Sequence, residues 1–126
     1  AQLLFPSRRV VAVTGDGGFL MNSQELETAV RLQLPLVILV WRDDGYGVIR
    51  WKQMLRFGRT SSVEFDNPEL VTYARAFGAA GYRVEGPSEL TPILHEAFNS
   101  ACPAMIDCPV DYGENLRITE HLKRVP

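Results

Sequence analysis

The sequence RVVAVTGDGG, residues 9–18, joins a short apolar run to a turn with three glycines and one acid. β-Branched residues dominate the run from Arg9 to Thr14, which is typical of a buried strand, and the glycines end it in a tight turn. A second apolar run, LVILVW, spans residues 36–41 and leads into the loop RDDGYG. Strands that are apolar on both faces are typical of a parallel sheet covered on both sides. The two segments therefore predict two strands of a parallel sheet.

Helical patterns alternate with strand patterns along the rest of the chain. This alternation predicts an α/β domain whose mostly parallel sheet carries helices on both faces. The pattern of the stretch from Val48 to Phe65 is compatible with either a helix or a loop. The other expected elements are a helix capped by Asn22 and ending before Pro35, a helix from Asn67 and Pro68 to Phe77, a strand at Tyr82–Glu85, a helix capped by Ser88 and running through Phe98, and a strand at Ala104–Cys108.

The composition narrows the classes of protein that the chain can belong to. Its 126 residues, 46% of them hydrophobic, suffice for one domain with a core. The net charge of −2 comes without a basic stripe, so we expect no nucleic-acid partner. No apolar run reaches the roughly 18 residues that span a bilayer, and Ala1–Arg9 does not resemble a signal peptide, so we expect a cytoplasmic protein without a membrane partner. Cys102 and Cys108 are expected to be small buried hydrophobes.

The beginning of the chain lacks both an initiator Met and a polar linker before its first strand. Domain boundaries in natural proteins usually carry such a linker. We therefore expect residues 1–126 to be part of one domain, truncated at its N-terminus, of a larger multidomain enzyme.

The turn Gly15–Gly18 lies between a strand and a helix, where glycines let a ligand approach the backbone and a helix start favours an anion. A phosphate would suit this position. The carboxylate of Asp16 would repel a phosphate unless a cation bridged the two groups. Taken alone, a Gly-Asp-Gly turn is more often plain turn chemistry, so the turn by itself only suggests a site for metal plus phosphate.

A second acidic loop strengthens that interpretation. Asp43 follows Asp16 by 27 residues and stands at the end of the next strand, with Asp44 directly after it. Ligands of open α/β sheets bind beyond the carboxyl ends of the strands. Two adjacent parallel strands would bring Asp16 and Asp43 together, and carboxylate oxygens are ligands that Mg²⁺ prefers.

This pattern resembles the signature of the thiamine-diphosphate-dependent enzymes: GDG, a spacer of under thirty residues, and an Asn-rich end to an apolar strand. In that family the equivalent residues hold thiamine diphosphate and Mg²⁺. The chain departs from the signature because Arg42-Asp43 replaces Asn-Asn, and the family's spacing favours Asp43 over Asp44 as the ligand. The resemblance implies Gly15, Asp16, Gly17, Gly18, Asp43, Gly45 and Tyr46 as cofactor-binding residues, with Asp16, Asp43 and the Gly45 carbonyl as metal ligands.

Within this family, the segments GDGGFLMNSQELETAVRL and VEFDNPELVTYARAFGAAGYRVE resemble acetolactate synthases of the catabolic type. The resemblance implies that two pyruvates form 2-acetolactate and CO₂, with thiamine diphosphate and Mg²⁺ but without FAD. It also implies a homo-oligomer, either dimer or tetramer, that depends on the missing domains of the same chain. The family's activating Glu belongs to another domain, so no catalytic residue is assigned, and the isolated chain is expected to be inactive.

Other interpretations remain open from the sequence. The full enzyme could be another decarboxylase or carboligase of 2-oxo acids, such as a benzoylformate decarboxylase, or a pyruvate oxidase. A non-catalytic nucleotide-binding module is a different class, but neither GxxxxGK[ST] nor GxGxxG follows the first strand. Trp51, Lys52 and Gln53 suit a substrate-facing role and an exposed helix equally well, whereas His95 and His121 are expected to be surface residues.

Overall fold

A computed structural model describes residues 1–113 as a four-stranded parallel sheet with helices on both faces, as the sequence predicts. The strand order is β1-β2-β4-β3, so β2 and β4 are central and β1 and β3 form the edges. The strands are β1 (Val11–Gly15), β2 (Val37–Arg42), β3 (Ala80–Arg83) and β4 (Ala104–Pro109), and the helices are α1 (Asp16–Met21), α2 (Glu25–Arg31), α3 (Gly47–Phe57), α4 (Leu70–Ala76) and α5 (Leu90–Phe98).

Two apolar cores hold α1, α2, α4 and α5 against the sheet. Successive strand residues point to opposite faces, so Val40 of β2 packs with the α1, α2 and α4 side chains, while Leu39 packs toward α5. The main contributors to the first core are Phe19, Leu26, Val40, Leu70, Ala74 and Met105, and those to the second are Val37, Leu39, Ala97, Ala104 and Ile106.

The strands lie within two residues of their predicted bounds, but the first helix differs from the prediction. A six-residue helix, α1, starts directly at Asp16 and ends at Met21, before α2 begins at Glu25. The predicted cap at Asn22 is therefore wrong, because Asn22 follows the end of α1 and the α2 N-terminus has no side-chain cap. The backbone becomes helical directly after β1, so Asn22 falls between α1 and α2.

Two further predicted caps are also wrong. The side chain of Glu69 caps α4 by accepting hydrogen bonds from the amides of Val71 and Thr72, whereas Asn67 bonds elsewhere. The expected cap Ser88 instead lies in a 3₁₀ turn, Pro87–Glu89, ahead of α5. The undecided stretch forms α3 over its first part.

Two parts of the surface leave apolar side chains uncovered. In the edge strand β1, Val11 is 39% exposed and Val13 is 55% exposed. No residue of α3 is buried, although Val48, Ile49 and Phe57 are all large and apolar. Within residues 1–113, no helix has the length and apolar character needed to cross a membrane.

Candidate functional site

The register of the first two strands brings the two acidic loops together. Gly15, the last residue of β1, pairs with Trp41 near the end of β2, and both strands run in the same direction. Asp16 follows Gly15 immediately, and Asp43 follows β2 immediately. The two loops consequently leave the sheet side by side at its carboxyl edge, where ligands of such folds bind.

The carboxylate of Asp16 is the centre of the hydrogen bonds at this edge. Asp16 is only 2% exposed. Its Oδ2 atom accepts hydrogen bonds from the amides of Asp44 at 2.9 Å and Asp43 at 3.3 Å, and from Nδ2 of Asn67 at 2.7 Å. Its Oδ1 atom accepts one from the amide of Gly17 at 2.8 Å. One carboxylate thus ties α1 to the loops that follow β2 and precede α4.

Asp44 does not line the cavity that the two loops form. Its backbone is left-handed, with φ at 53°, a conformation that Asp adopts more readily than most residues. Its carboxylate accepts hydrogen bonds from Arg42 Nη1, at 2.9 and 3.2 Å, and from Nδ2 of Asn67 at 2.8 Å. The hydrogen bond from Asn67, followed by those from Arg42, holds the pKa of Asp44 below its usual value. Two partners therefore satisfy this acid within the protein.

Asp43 lines the cavity and has a different electrostatic environment. Burial first, and then the carboxylate of Asp16, raise the pKa of Asp43, while the guanidinium of Arg50 acts in the opposite direction. Nη2 of Arg50 donates to the Asp43 carbonyl at 3.1 Å and lies 3.4 Å from Oδ2 of its carboxylate. A nearby positive charge therefore favours the ionised form of Asp43, as the guanidinium of Arg50 does.

Two ion pairs to the buried Asp107 support the loop after β2. Asp107 of β4 is 1% exposed and accepts hydrogen bonds from Nε of Arg42 and Nε of Arg83, both at 2.9 Å. Arg83 also pairs with Glu69, which caps α4. The pairing with Asp107 raises the pKa of both arginines and opposes the effect of burial. The network thereby connects the acidic loop to both β4 and the start of α4.

A cavity of about 270 Å³ opens between the two loops. All seven residues that the sequence resemblance implies for cofactor binding lie on its wall, and Asp44 does not. The structure adds four lining residues that the sequence did not predict, because none of them belongs to a recognisable motif. The lining consists of Gly15, Asp16, Gly17, Gly18, Asp43, Gly45 and Tyr46, joined by Gly47, Val48, Ile49 and Tyr112.

Close packing fixes the position of Tyr46 on this wall. The rings of Tyr46 and Phe65 are 5.0 Å apart, and a Cβ atom on Gly17 would stand 2.9 Å from the ring of Tyr46. Real Cβ atoms do not approach so closely, so only glycine fits at position 17 without moving the tyrosine. The second glycine of the turn therefore serves the shape of the cavity wall.

The oxygen atoms that line the cavity are suitable ligands for a hard divalent cation. Two carboxylates, of Asp16 and Asp43, and the backbone of Gly45 lie on one wall, and Mg²⁺ binds such oxygens while keeping some of its own waters. In the described part of the chain, no three His, Cys, Asp or Glu side chains cluster as an all-side-chain metal site. A cation here would consequently depend on carbonyl, water or ligand oxygens for its remaining contacts.

The remaining sequence candidates lie outside this cavity. Gln53 is tied to the backbone of Ser61 by two hydrogen bonds, and Lys52 and His95 are exposed. Trp51 lines a neighbouring cavity of about 580 Å³. His121 lies outside the described residues. Of the cysteines, Cys108 is buried and its pKa is raised by burial, while Cys102 is half-buried beside Ser100.

Comparisons with known proteins give a consistent result. A family model described as "Thiamine pyrophosphate enzyme, C-terminal TPP binding domain" matches residues 1–108. The chain is 47% identical to the acetolactate synthase of Bacillus subtilis over 94% of its length, and 44% identical to the catabolic acetolactate synthase of Raoultella terrigena over 91%. It spans 21% of the length of either relative.

A solved structure resembles the fold closely. The thiamine diphosphate-dependent 4-hydroxybenzoylformate decarboxylase of Rhodococcus jostii RHA1 matches with a TM-score of 0.82 and 26% sequence identity. The match covers 90% of this chain and 22% of that protein.

Proposed function

The chain belongs to the thiamine pyrophosphate enzymes, as their C-terminal TPP-binding domain, and from this premise we propose that it forms the metal and diphosphate site of an acetolactate synthase. Thiamine pyrophosphate and thiamine diphosphate are the same cofactor. The observation that carries the proposal is the cavity at the ends of β1 and β2, which gathers Asp16, Asp43 and the glycines of the first turn.

We assign Asp16, Asp43 and the carbonyl of Gly45 to Mg²⁺. Asp16 is buried, and four hydrogen bonds already fix the position of its carboxylate. Asp43 is preferred over Asp44 because it lines the cavity, whereas Asp44 accepts hydrogen bonds from Arg42 and Asn67. Two carboxylates and a divalent cation leave a site that can accept an anion such as a diphosphate.

Gly15, Gly17 and Gly18 would admit the diphosphate, and Tyr46 would line the cavity beside it. The glycines carry no side chains that would keep an anion from the backbone. The cavity of about 270 Å³ falls just below the usual range of about 300–1,000 Å³ for ligand clefts. This size supports the view that further domains complete the site.

The proposed reaction is the condensation of two pyruvates to 2-acetolactate with release of CO₂. When bound, thiamine diphosphate would supply the electron sink that decarboxylation needs. The residues of this chain bind and orient that group, while the exposed wall at Val48, Ile49 and Tyr112 would border the reacting end. No residue of the described chain is assigned to proton transfer.

The proposed substrate can be tested with the full-length protein that contains this chain. We expect 2-acetolactate from pyruvate when thiamine diphosphate and Mg²⁺ are supplied, and little turnover of aromatic 2-oxo acids. Release of CO₂ without acetolactate would instead favour a decarboxylase, and peroxide formation with phosphate would favour a pyruvate oxidase. The identities of 47% and 44% to acetolactate synthases support the first outcome.

We further propose that the isolated chain is inactive and self-associates, and that the full enzyme is a cytoplasmic homo-oligomer that needs no FAD. The exposed apolar residues of β1 and α3 support the association, since large apolar patches usually contact a partner. Sedimentation of the isolated chain tests this. A strictly monomeric chain would contradict the association, and turnover of pyruvate by the chain alone would contradict the assignment of catalysis to other domains.

A further inference from the structure

Arg50 makes an unusual contact with the acidic loop. It lies in the first turn of α3, seven residues after Asp43. A single nitrogen, Nη2, approaches two oxygens of Asp43, the backbone carbonyl at 3.1 Å and the carboxylate Oδ2 at 3.4 Å. Carbonyl and carboxylate oxygens are also the ligands of hard cations. The guanidinium therefore satisfies oxygen atoms of the type that a metal ion would bind.

Two glycines leave the space that this pair occupies. A Cβ atom on Gly47 would overlap with Oδ2 of Asp43, and one on Gly45 would overlap with Nη2 of Arg50. Gly45 is also constrained by the carbonyl of Val63, 2.6 Å from the same Cβ position. Gly47 has no such second constraint from the backbone, so its small size is explained by the Asp43 side chain alone.

The charges at the site require a compensating group. Three acidic residues lie at one edge of the sheet, where the backbone amides of Asp43 and Asp44 both donate to the carboxylate of Asp16. Arg42 neutralises Asp44. Among the described residues, Arg50 is the one basic side chain that forms an ion pair with Asp43. In the absence of a metal ion, Arg50 is thus the cation that offsets this carboxylate.

We propose that Arg50 is an internal counter-ion, which holds Asp43 when no divalent cation is bound and competes with the cation for it. The proposal rests on the proposed role of Asp43 as a metal ligand. A divalent cation on either oxygen of Asp43 would come close to the guanidinium, and like charges repel. Removing the charge of Arg50 should accordingly strengthen binding of a metal ion on its own.

The test uses the full-length protein, freed of metal by a chelator and titrated with Mn²⁺ in the absence of thiamine diphosphate. Electron paramagnetic resonance counts the unbound Mn²⁺. We expect Arg50→Gln to bind Mn²⁺ about 10-fold more tightly, a moderate value because the arginine side chain is 35% exposed and its charge is partly screened. Arg50→Lys keeps the charge and should stay within about threefold of the wild type.

Two controls isolate the contact. Arg56→Gln removes the same charge from an exposed position on the same helix and should leave the affinity unchanged. In an Asp43→Asn background, Arg50→Gln should produce a smaller gain, because the carboxylate for which the two cations compete is absent and only the contact with the backbone carbonyl remains. If Arg50→Gln does not fold, Arg50→Met keeps the apolar stem and carries the same expectation.

The outcomes separate the two proposals. A wild-type protein that binds no Mn²⁺ would contradict the metal site itself. If the wild type binds Mn²⁺ but Arg50→Gln binds it equally or more weakly, the metal site stands and the counter-ion role is overturned. An equal gain in Arg56→Gln would also overturn it, because the effect would then be that of net charge.

Discussion

Replacing Asp16 by Ala removes the acceptor around which the site is organised. The change should abolish retention of thiamine diphosphate by the full-length protein. It should also destabilise the metal-free protein, because the donors that Asp16 now satisfies would lose their acceptor. The affinity for thiamine diphosphate and the free energy of unfolding are therefore expected to fall together.

The structural part of this cost can be estimated from the contacts. Three of the four hydrogen bonds to Asp16 are between 2.7 and 2.9 Å, and the fourth is longer. Leaving a buried donor without its acceptor costs about 1–3 kcal/mol, and Asp16 serves several such donors. Loss of the repulsion between Asp16 and Asp43, which after burial contributes to the raised pKa of Asp43, should offset part of this cost. The expected net loss is about 2–4 kcal/mol.

Two measurements on the same proteins check the prediction. Isothermal titration gives the affinity for thiamine diphosphate in excess Mg²⁺, where the loss should exceed the 10–100-fold that is typical of changes around the ligands. Urea unfolding with a chelator present gives the stability. Asp66→Ala is the matched control, because Asp66 is an exposed carboxylate one residue from Asn67. Unchanged cofactor affinity in Asp16→Ala would remove Asp16 from the site, and an unchanged unfolding midpoint would refute the structural estimate.

Three further changes test other parts of the structure. Because its pKa is raised, Asp43 destabilises the metal-free fold as pH rises through that pKa. Mg²⁺ binding should weaken as pH falls through the same pKa. Asp43→Asn should therefore flatten the pH dependence of Mg²⁺ binding in a titration series. Asp107→Asn should cost about 2–4 kcal/mol in urea unfolding, while Glu27→Gln, which breaks an exposed pair, should cost under about 0.5 kcal/mol. Gly81→Ala, whose Cβ would stand 2.6 Å from a backbone carbonyl, should lower the free energy of unfolding by about 1–3 kcal/mol, whereas Gly86→Ala, with nothing within 4 Å, should not. Equal free energies of unfolding for the two variants would contradict the packing argument.

The sheet could be predicted because it depends on local patterns, and the residues that the resemblance implies for the cofactor form seven of the eleven on the cavity wall. Apolar runs mark the buried strands, and the glycine and acid signature marks their ends. The expected neighbours Asp16 and Asp43 do lie on one cavity wall. Their assignment to Mg²⁺ stays a prediction.

The roles of Asn67, Arg42 and Asp107 could not be predicted, since each depends on contacts between residues far apart in the chain. Asn67 followed by Pro68 has the sequence pattern of a helix start, but its amide donates to two carboxylates that lie 51 and 23 residues earlier. Asp107 lies 65 residues after Arg42. A local pattern records propensity, and it carries no information on which distant side chain will be the partner.

The pairing of Gly15 with Trp41 determines how the chain could change in length without losing the site. The two acidic loops meet because two strands end together, and the 27-residue separation between Asp16 and Asp43 has no role of its own. Residues inserted between α2 and β2 would extend a surface connection and leave the pairing intact. One residue inserted within β2 would move the loop by about 3.3 Å and turn each following side chain to the opposite face. Length variation in such a domain should therefore accumulate in the connections and be excluded from the strands.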